Sequence, residues 1–354
     1  MRRREHGFSL VELMVAITLA LVLTGAVISV FVGSRTAYQS TAGVGALSDG
    51  GRFALSLIGE SVRGAGNLAC NSAMTATSDA ALLGGTTFAN NFVQGVTGFE
   101  ANGTGNPLPA AIALPAVPVV GAAGNWTPNL DAAITAATAA QGPAVKGSDV
   151  LVMRSAVPRV APVYTTADVA AGVTSVAITP NPVGMAATQY AAIADCTKSV
   201  IFKAAAVTPA NVTLNGPLPV SFAAGALVAP LTTTVYYIGV GSDGDAALWR
   251  LEQVGGPAFA APEELVPDVE NMQVLYGIDT AGTQTASAYV TADQVGTANV
   301  VSIRVALLVA SPPGSRPLAG LPPFNLLGTQ VTAPANNRLR RVFYATFNLR
   351  NAVN

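Results

Sequence analysis

Charge is what this sequence most lacks. Only 10% of its 354 residues are Asp, Glu, Lys or Arg, against roughly 25% in an ordinary soluble domain. Lysine is reduced to Lys146, Lys198 and Lys203, and the formal net charge is -1. No basic stripe exists to track phosphates, which argues against a nucleic-acid partner. Histidine is reduced to His6, so a chain shorn of its first residues has no Ser-His-Asp triad, Cys-His dyad or histidine-bound zinc. Walker A, G-x-S-x-G and C-x-x-C motifs are all missing, and no cofactor or metal is called for. Aromatics are sparse at 6%, so the mean hydropathy of +0.47 reflects Ala, Val and Gly. These shortages point away from an enzyme. They also exclude a disordered chain, which would be charge-rich and apolar-poor.

The apolar surplus is concentrated at one end. Residues 13–34 carry no charge; as a helix they span about 33 Å, close to the hydrocarbon thickness of a bilayer. Arg2, Arg3 and Arg4 precede this run. The positive-inside rule keeps that end in the cytoplasm and sends the chain beyond Arg35 across the membrane. The run is too long for a secretory signal peptide. A plain anchor accounts for its length but not for Glu12, because a carboxylate at the edge of hydrocarbon needs a partner or a headgroup position.

The order basic leader, Gly7, Phe8-Ser9-Leu10-Val11, Glu12, apolar run resembles the processing site of type IV pilins and of type II secretion pseudopilins. The resemblance implies cleavage after Gly7 by a prepilin peptidase and N-methylation of Phe8. It implies that Glu12 pairs with the terminal amine of a neighbouring subunit. That pairing offsets part of the carboxylate's desolvation and penalises a wrong axial register.

Beyond the membrane the helix is expected to continue to about residue 66, with Val44, Leu47, Ala54, Ile58 and Val62 on one apolar face. Gly43, Gly45, Gly50 and Gly51 each cost roughly 1 kcal/mol relative to Ala, which predicts a kink or a melted stretch there. Residues 71–148 read as irregular loops with short edge strands. Strands are expected at 149–156, 199–206, 232–240, 247–254, 274–279, 300–310 and 342–350, with a hairpin turn at 241–245. Residues 263–271 read as a short helix or turn. The fold class is α+β: a long N-terminal hydrophobic α-helix followed by a mostly antiparallel β-rich head. The divisions are 1–7 leader, 8–34 membrane or filament-core helix, 35–66 its periplasmic continuation and 67–354 the periplasmic head.

Several further stretches resemble minor pilins of the PilW type: Gly51-Arg52-Phe53-Ala54-Leu55, the hairpin around 236–250, residues 265–279 and the C-terminal run 340–351. That resemblance implies a minor pilin of the inner membrane, single-pass with a periplasmic head and later on the pilus at the cell surface. Its partners would be other minor pilins, the major pilin, the prepilin peptidase, the inner-membrane assembly platform and membrane lipid. It would prime or cap type IV pili and support twitching motility, adhesion or DNA uptake. A type II secretion pseudopilin and a membrane-anchored periplasmic adhesin are the alternatives. Gene neighbourhood separates the first, and glycan or DNA binding by the head tests the second.

The remaining candidates are few. Cys70 and Cys196 are the only cysteines; in an oxidising compartment they are expected to form a disulfide. Asp243 and Asp245 could open a calcium loop but lack the later acidic ligand, so a solvated turn is expected. Glu263, Glu264, Asp268 and Glu270 read as a solvated face or docking patch, not a catalytic pair. Arg338, Arg340 and Arg341 read as an ordinary strand flank rather than as partners for a neighbour's acids.

Overall fold

The structure, a computed structural model, describes residues 9–69, 88–92, 94–105, 110–156, 163–179, 185–195, 197–253, 258–315 and 322–350. One α-helix, Leu10–Gly64, runs without interruption for 55 residues. Ser9 caps it in extended conformation, and the chain leaves through an extended Ala65 whose N–H reaches Val62 O. None of residues 10–42 is buried. The helix therefore stands clear of the head for about 50 Å.

The head is built of three sheets among the described residues. The largest places Val96–Ala101 beside Val150–Ala156, which lies beside the long strand Leu227–Val240. That strand forks. Its second half pairs with Ala246–Glu252, and its first half with Tyr190–Ala194, which leads on to Ser199–Thr208. The second sheet orders Ala288–Val290, Val269–Asp279, Asn299–Ala310 and Arg340–Asn348. The third joins Phe324–Leu326 to Thr329–Thr332, which takes Ala110–Ala113 as the parallel partner. The other strand pairs are antiparallel, so fold class and layout agree with the sequence expectation.

The main core forms where the helix meets two of these sheets. Leu47, Ala54, Ile58 and Val62 pack with Leu151, Tyr236 and Leu248 of the large sheet. They also pack with Met272, Val274, Ile303, Val305 and Leu307 of the second. Arg35, Gln39, Asp49, Arg52, Glu60 and Arg63 stay exposed, as their spacing predicts. Val44 does not join the core; it is 50% exposed, and Gly43 takes the buried place beside it.

The expected melted stretch is absent, and packing supplies the reason. A Cβ on Gly43 would lie against Ser315, one on Gly51 against the Phe343 ring, and one on Gly59 against the Phe347 ring. Gly51 and Gly59 are eight residues apart, which returns the helix to within about 80° of the same face. Strand Arg340–Asn348 thus presses two aromatic rings on bare helix backbone. This contact offsets the helix-propensity cost of the glycines.

Two other expectations are corrected. Residues 263–271 form neither helix nor simple turn: Glu263–Pro267 and Val269–Asp279 are strands joined at Asp268, which sits at φ +63°. Within 71–148, Val96–Ala101 is an interior strand, flanked by Trp126–Thr127 and Val150–Ala156. A short helix, Ala132–Thr138, follows there; Asp131 caps it by accepting from Ala133 N at 2.8 Å. The strands expected at 149–156, 199–206, 247–254 and 300–310 appear within a residue or two. The strand expected at 232–240 begins earlier, at Leu227.

Adding one carbon tests the close approach. Gly51→Ala overpacks Phe343 at a cost of about 1–3 kcal/mol, outweighing the roughly 1 kcal/mol that Ala returns to a helix. Gly45→Ala meets nothing within 4 Å and gains up to about 1 kcal/mol. Thermal denaturation of the full chain in micelles should lower the midpoint for the first and raise it for the second.

Candidate functional site

The projecting part of the helix is the most unusual surface of the molecule. An 18-residue window reaches a mean hydropathy of 2.6 with none of it buried. Leu10, Val11, Leu21, Val22, Leu23, Val30 and Phe31 are each at least 66% exposed. Covering one such side chain contributes about 1.5–3 kcal/mol, so lipid or other helices that enclose this surface gain tens of kcal/mol in all. Three hydroxyls inside the span do not oppose that transfer. Thr18 donates to Val15 O at 2.9 Å, Thr24 to Ala20 O at 2.7 Å and Ser29 to Ala26 O at 2.8 Å. Each polar group is thereby satisfied within the helix, as an apolar solvent demands.

The tip of this surface carries Glu12. Ser9 Oγ accepts from Glu12 N at 3.2 Å, and Ser9 N donates to Glu12 Oε2 at 3.2 Å. This reciprocal capping box satisfies two orphan donors of the first turn and puts a negative charge at the positive end of the helix dipole. The signal, Ser9-x-x-Glu12 ahead of an apolar run, is present in the sequence; the reading from sequence gave Glu12 an intermolecular role and passed over the cap. Gly7 and Phe8 lie outside the described residues, as do Cys70 and Cys196. The cleavage site and the disulfide are therefore not placed.

The other end of the helix is held to the head by polar as well as apolar contacts. Ser61 Oγ lies 2.9 Å from Tyr236 Oη. The Arg63 guanidinium sits 5.8 Å from the centre of the Phe347 ring. The basic group near the C-terminus turns inward, contrary to expectation. The Arg340 side chain is fully buried and forks onto Glu270, Nε to Oε2 at 2.6 Å and Nη2 to Oε1 at 2.8 Å. Arg338 donates to Ser311 O at 2.7 Å and to Asp245 Oδ2 at 2.8 Å, and also pairs with Asp268. Only Arg341 behaves as an exposed flank, 5.4 Å from the Phe343 ring centre. Asp268 and Glu270 are therefore not part of a solvated patch. Glu263, paired with Arg250 at 2.7 Å, and Glu264, which accepts from Ser242 N at 2.9 Å, stay at the surface.

Asp243, Asp245 and Asp268 bring carboxylate oxygens within 4.8 Å of one another. Oxygen ligands at this spacing suit a hard cation. Here the Arg338 guanidinium already neutralises two of the three, and the group reads as an internal ion-pair network beneath the 241–245 turn. That turn closes as expected, with Gly241 N donating to Asp245 O at 2.6 Å.

The geometry agrees with what comparison reveals. Residues 235–351 match the family model described as type IV pilus-assembly protein W, and residues 2–28 match the prokaryotic N-terminal methylation motif. The first match spans the ion pairs of Arg338 and Arg340 and the rings of Phe343 and Phe347. Among solved structures, a type IV-like pilin from Thermus thermophilus is 22% identical. The alignment covers 35% of this chain and 70% of that one, at a TM-score of 0.23. No curated protein matches the chain. The two family models support a type IV pilus minor pilin of the PilW type, acting in pilus assembly.

Arg340 provides a test of how the head is held against the helix. Removing one partner of a buried, forked ion pair costs about 3–5 kcal/mol, because the other charge is stranded. Arg340→Ala should lose that much in chemical denaturation, and Arg340→Met with Glu270→Leu should recover most of it. Equal losses in the single and the double variant would contradict the assignment.

Proposed function

We propose that this chain is a prepilin whose working part is the uncovered helix, stored in the inner membrane and then transferred into a pilus. The observation that carries the reading is the pairing of about 50 Å of unburied helix, apolar over residues 13–34, with a capped carboxylate at its tip. The basic leader stays in the cytoplasm, residues 13–34 cross the bilayer once, and the head lies in the periplasm. The proposed divisions are a leader over 1–7, a membrane or filament-core helix over 8–34, its continuation over 35–66 and the head over 67–354.

Cleavage after Gly7 by a prepilin peptidase frees the amine of Phe8, which is then methylated. Glu12, four residues on, can exchange its own Ser9 contact for the amine of a neighbouring pilin as the helix leaves lipid. The exchange preserves a partner for the carboxylate at each stage and leaves it stranded only in a wrong register. Other minor pilins, the major pilin and the inner-membrane assembly platform are the expected partners, in a complex that primes or tops the filament. The chain works by packing and turns over no substrate. Twitching motility, adhesion or DNA uptake follow from the filament it helps to start.

Glu12→Ala separates assembly from insertion. The variant should reach the membrane and be processed normally, while surface pilus number falls at least several-fold. Unchanged piliation would mean that Glu12 serves only as a helix cap at headgroup depth.

A further inference from the structure

The sheets of the head end in short strands, with one exception. Among the described residues, Trp126–Thr127, Val163–Tyr164, Ser175–Ala177, Ala288–Val290, Phe324–Leu326, Ala110–Ala113 and Glu263–Pro267 end their sheets with two to five residues each. Strands that short offer little unpaired backbone to another chain. Arg340–Asn348 also ends a sheet and pairs on one side only, with Asn299–Ala310, yet it has nine residues. It contains no proline and no bulge. From Arg341 onward none of its residues is buried, whereas in Asn299–Ala310 only Asn299 and Arg304 are not.

The open side of this strand is fixed by its register. Leu349 N donates to Val301 O at 3.0 Å, and Ser311 N donates to Leu339 O at 2.8 Å. Both pairs continue the pairing of Arg340–Asn348 with Asn299–Ala310, so the odd-numbered residues turn N–H and C=O toward that neighbour. Alternate residues of an antiparallel strand face opposite ways. Val342, Tyr344, Thr346 and Asn348 therefore turn theirs outward, and no described backbone hydrogen bond meets them there.

The surroundings of the edge are basic on one face. Phe343 meets the helix at Gly51 and Phe347 meets it at Gly59. Four strand residues advance about 13 Å and eight helix residues about 12 Å, so strand and helix run side by side in the same direction. On that face Arg63 stands 5.8 Å from the centre of the Phe347 ring and Arg341 5.4 Å from that of Phe343. Arg52 lies about three turns below Arg63 on the same flank of the helix. All three are exposed, and no described ion pair includes them. The helix acids Asp49 and Glu60 are turned roughly 60–80° round from Arg52, away from the strand. On the other face Tyr344 is 57% exposed and Thr346 is open to solvent.

We propose that the outer edge of Arg340–Asn348 takes an added strand from a different filament subunit, an extended segment with carboxylates at alternate positions. The inference rests on the reading of this chain as an assembly subunit. Pairing with the backbone of Val342, Tyr344, Thr346 and Asn348 holds the segment. The period of two sets every second side chain on the helix side, opposite Arg52, Arg63 and Arg341. The side chains between them lie beside Tyr344 and Thr346 and are apolar or hydroxyl-bearing. A second copy of this edge fits less well. Arg340–Asn348 contains no acid to meet the arginines. Antiparallel pairing of two such strands would also point their apolar helices in opposite directions, which a shared membrane forbids.

The test uses the full chain in detergent micelles and two acetylated nine-residue peptides, one alternating Glu with Val and one alternating Lys with Val. Amide hydrogen exchange, followed by NMR, should be fast at Val342, Tyr344, Thr346 and Asn348 and slow at the odd-numbered residues between them. The Glu peptide should slow the first set at least several-fold, and the Lys peptide should not. Arg52→Glu with Arg341→Glu should reverse that preference. Thr346→Pro removes an outward N–H and no inward bond, so it should abolish the protection with the thermal midpoint little changed. The charge reversal stands as a readout even if Thr346→Pro folds poorly. In cells Thr346→Pro should lower surface pilus number several-fold and leave the processed N-terminus unchanged. Protection by neither peptide or equally by both, slow exchange at the outward amides in a dimer without peptide, or normal piliation by Thr346→Pro would each overturn the proposal. An unprocessed N-terminus in the wild type would instead overturn the pilin reading on which it rests.

Discussion

An apolar helix left in water by its own chain must be covered by something else. The first half of the helix Leu10–Gly64 exposes leucine, valine, isoleucine and phenylalanine on every side, and no described part of the head folds back over it. Thr18, Thr24 and Ser29 bond to the helix's own backbone, and Glu12 is the one charged group between Leu10 and Ser34. In the proposed assembly that one carboxylate gives the apolar rod a register, since hydrophobic burial has no preferred axial position and an unmatched charge does.

The second half of the helix is packed into the head. Gly43, Gly51 and Gly59 let the head's side chains reach the helix backbone. The strand that supplies Phe343 and Phe347 is anchored at its start by the buried Arg340–Glu270 fork. Helix, strand and ion pair form one packed unit; the strand and both partners of the ion pair fall in the region that matches the pilus-assembly family, and the helix precedes it.

Much of this was legible in the sequence, and the failures share a cause. A run of 22 uncharged residues behind three arginines announces its own structure, as do β-branched runs such as 232–240, because the signal is local. The glycines misled because the rings that need them lie almost 300 residues away, and propensity alone reads them as weakness. Residues 263–271 looked like an acidic surface turn because the arginines that neutralise Asp268 and Glu270 are 70 residues further on. Glu100 and Asp149, both buried in the head, gave no signal at all: single carboxylates in a chain show neither burial nor neighbour. The helix cap was a different kind of miss, since Ser9 and Glu12 are three residues apart and the pattern was in plain view.

The claim on which the rest depends is that the N-terminal segment is matured for assembly and is not a plain anchor. Mass spectrometry of the intact N-terminal peptide, on protein from its native inner membrane, tests it most directly. The expected result is a chain that begins at methylated Phe8. A chain that still begins at Met1 with the peptidase present would contradict the claim, and would leave the helix as an anchor for a periplasmic binding protein.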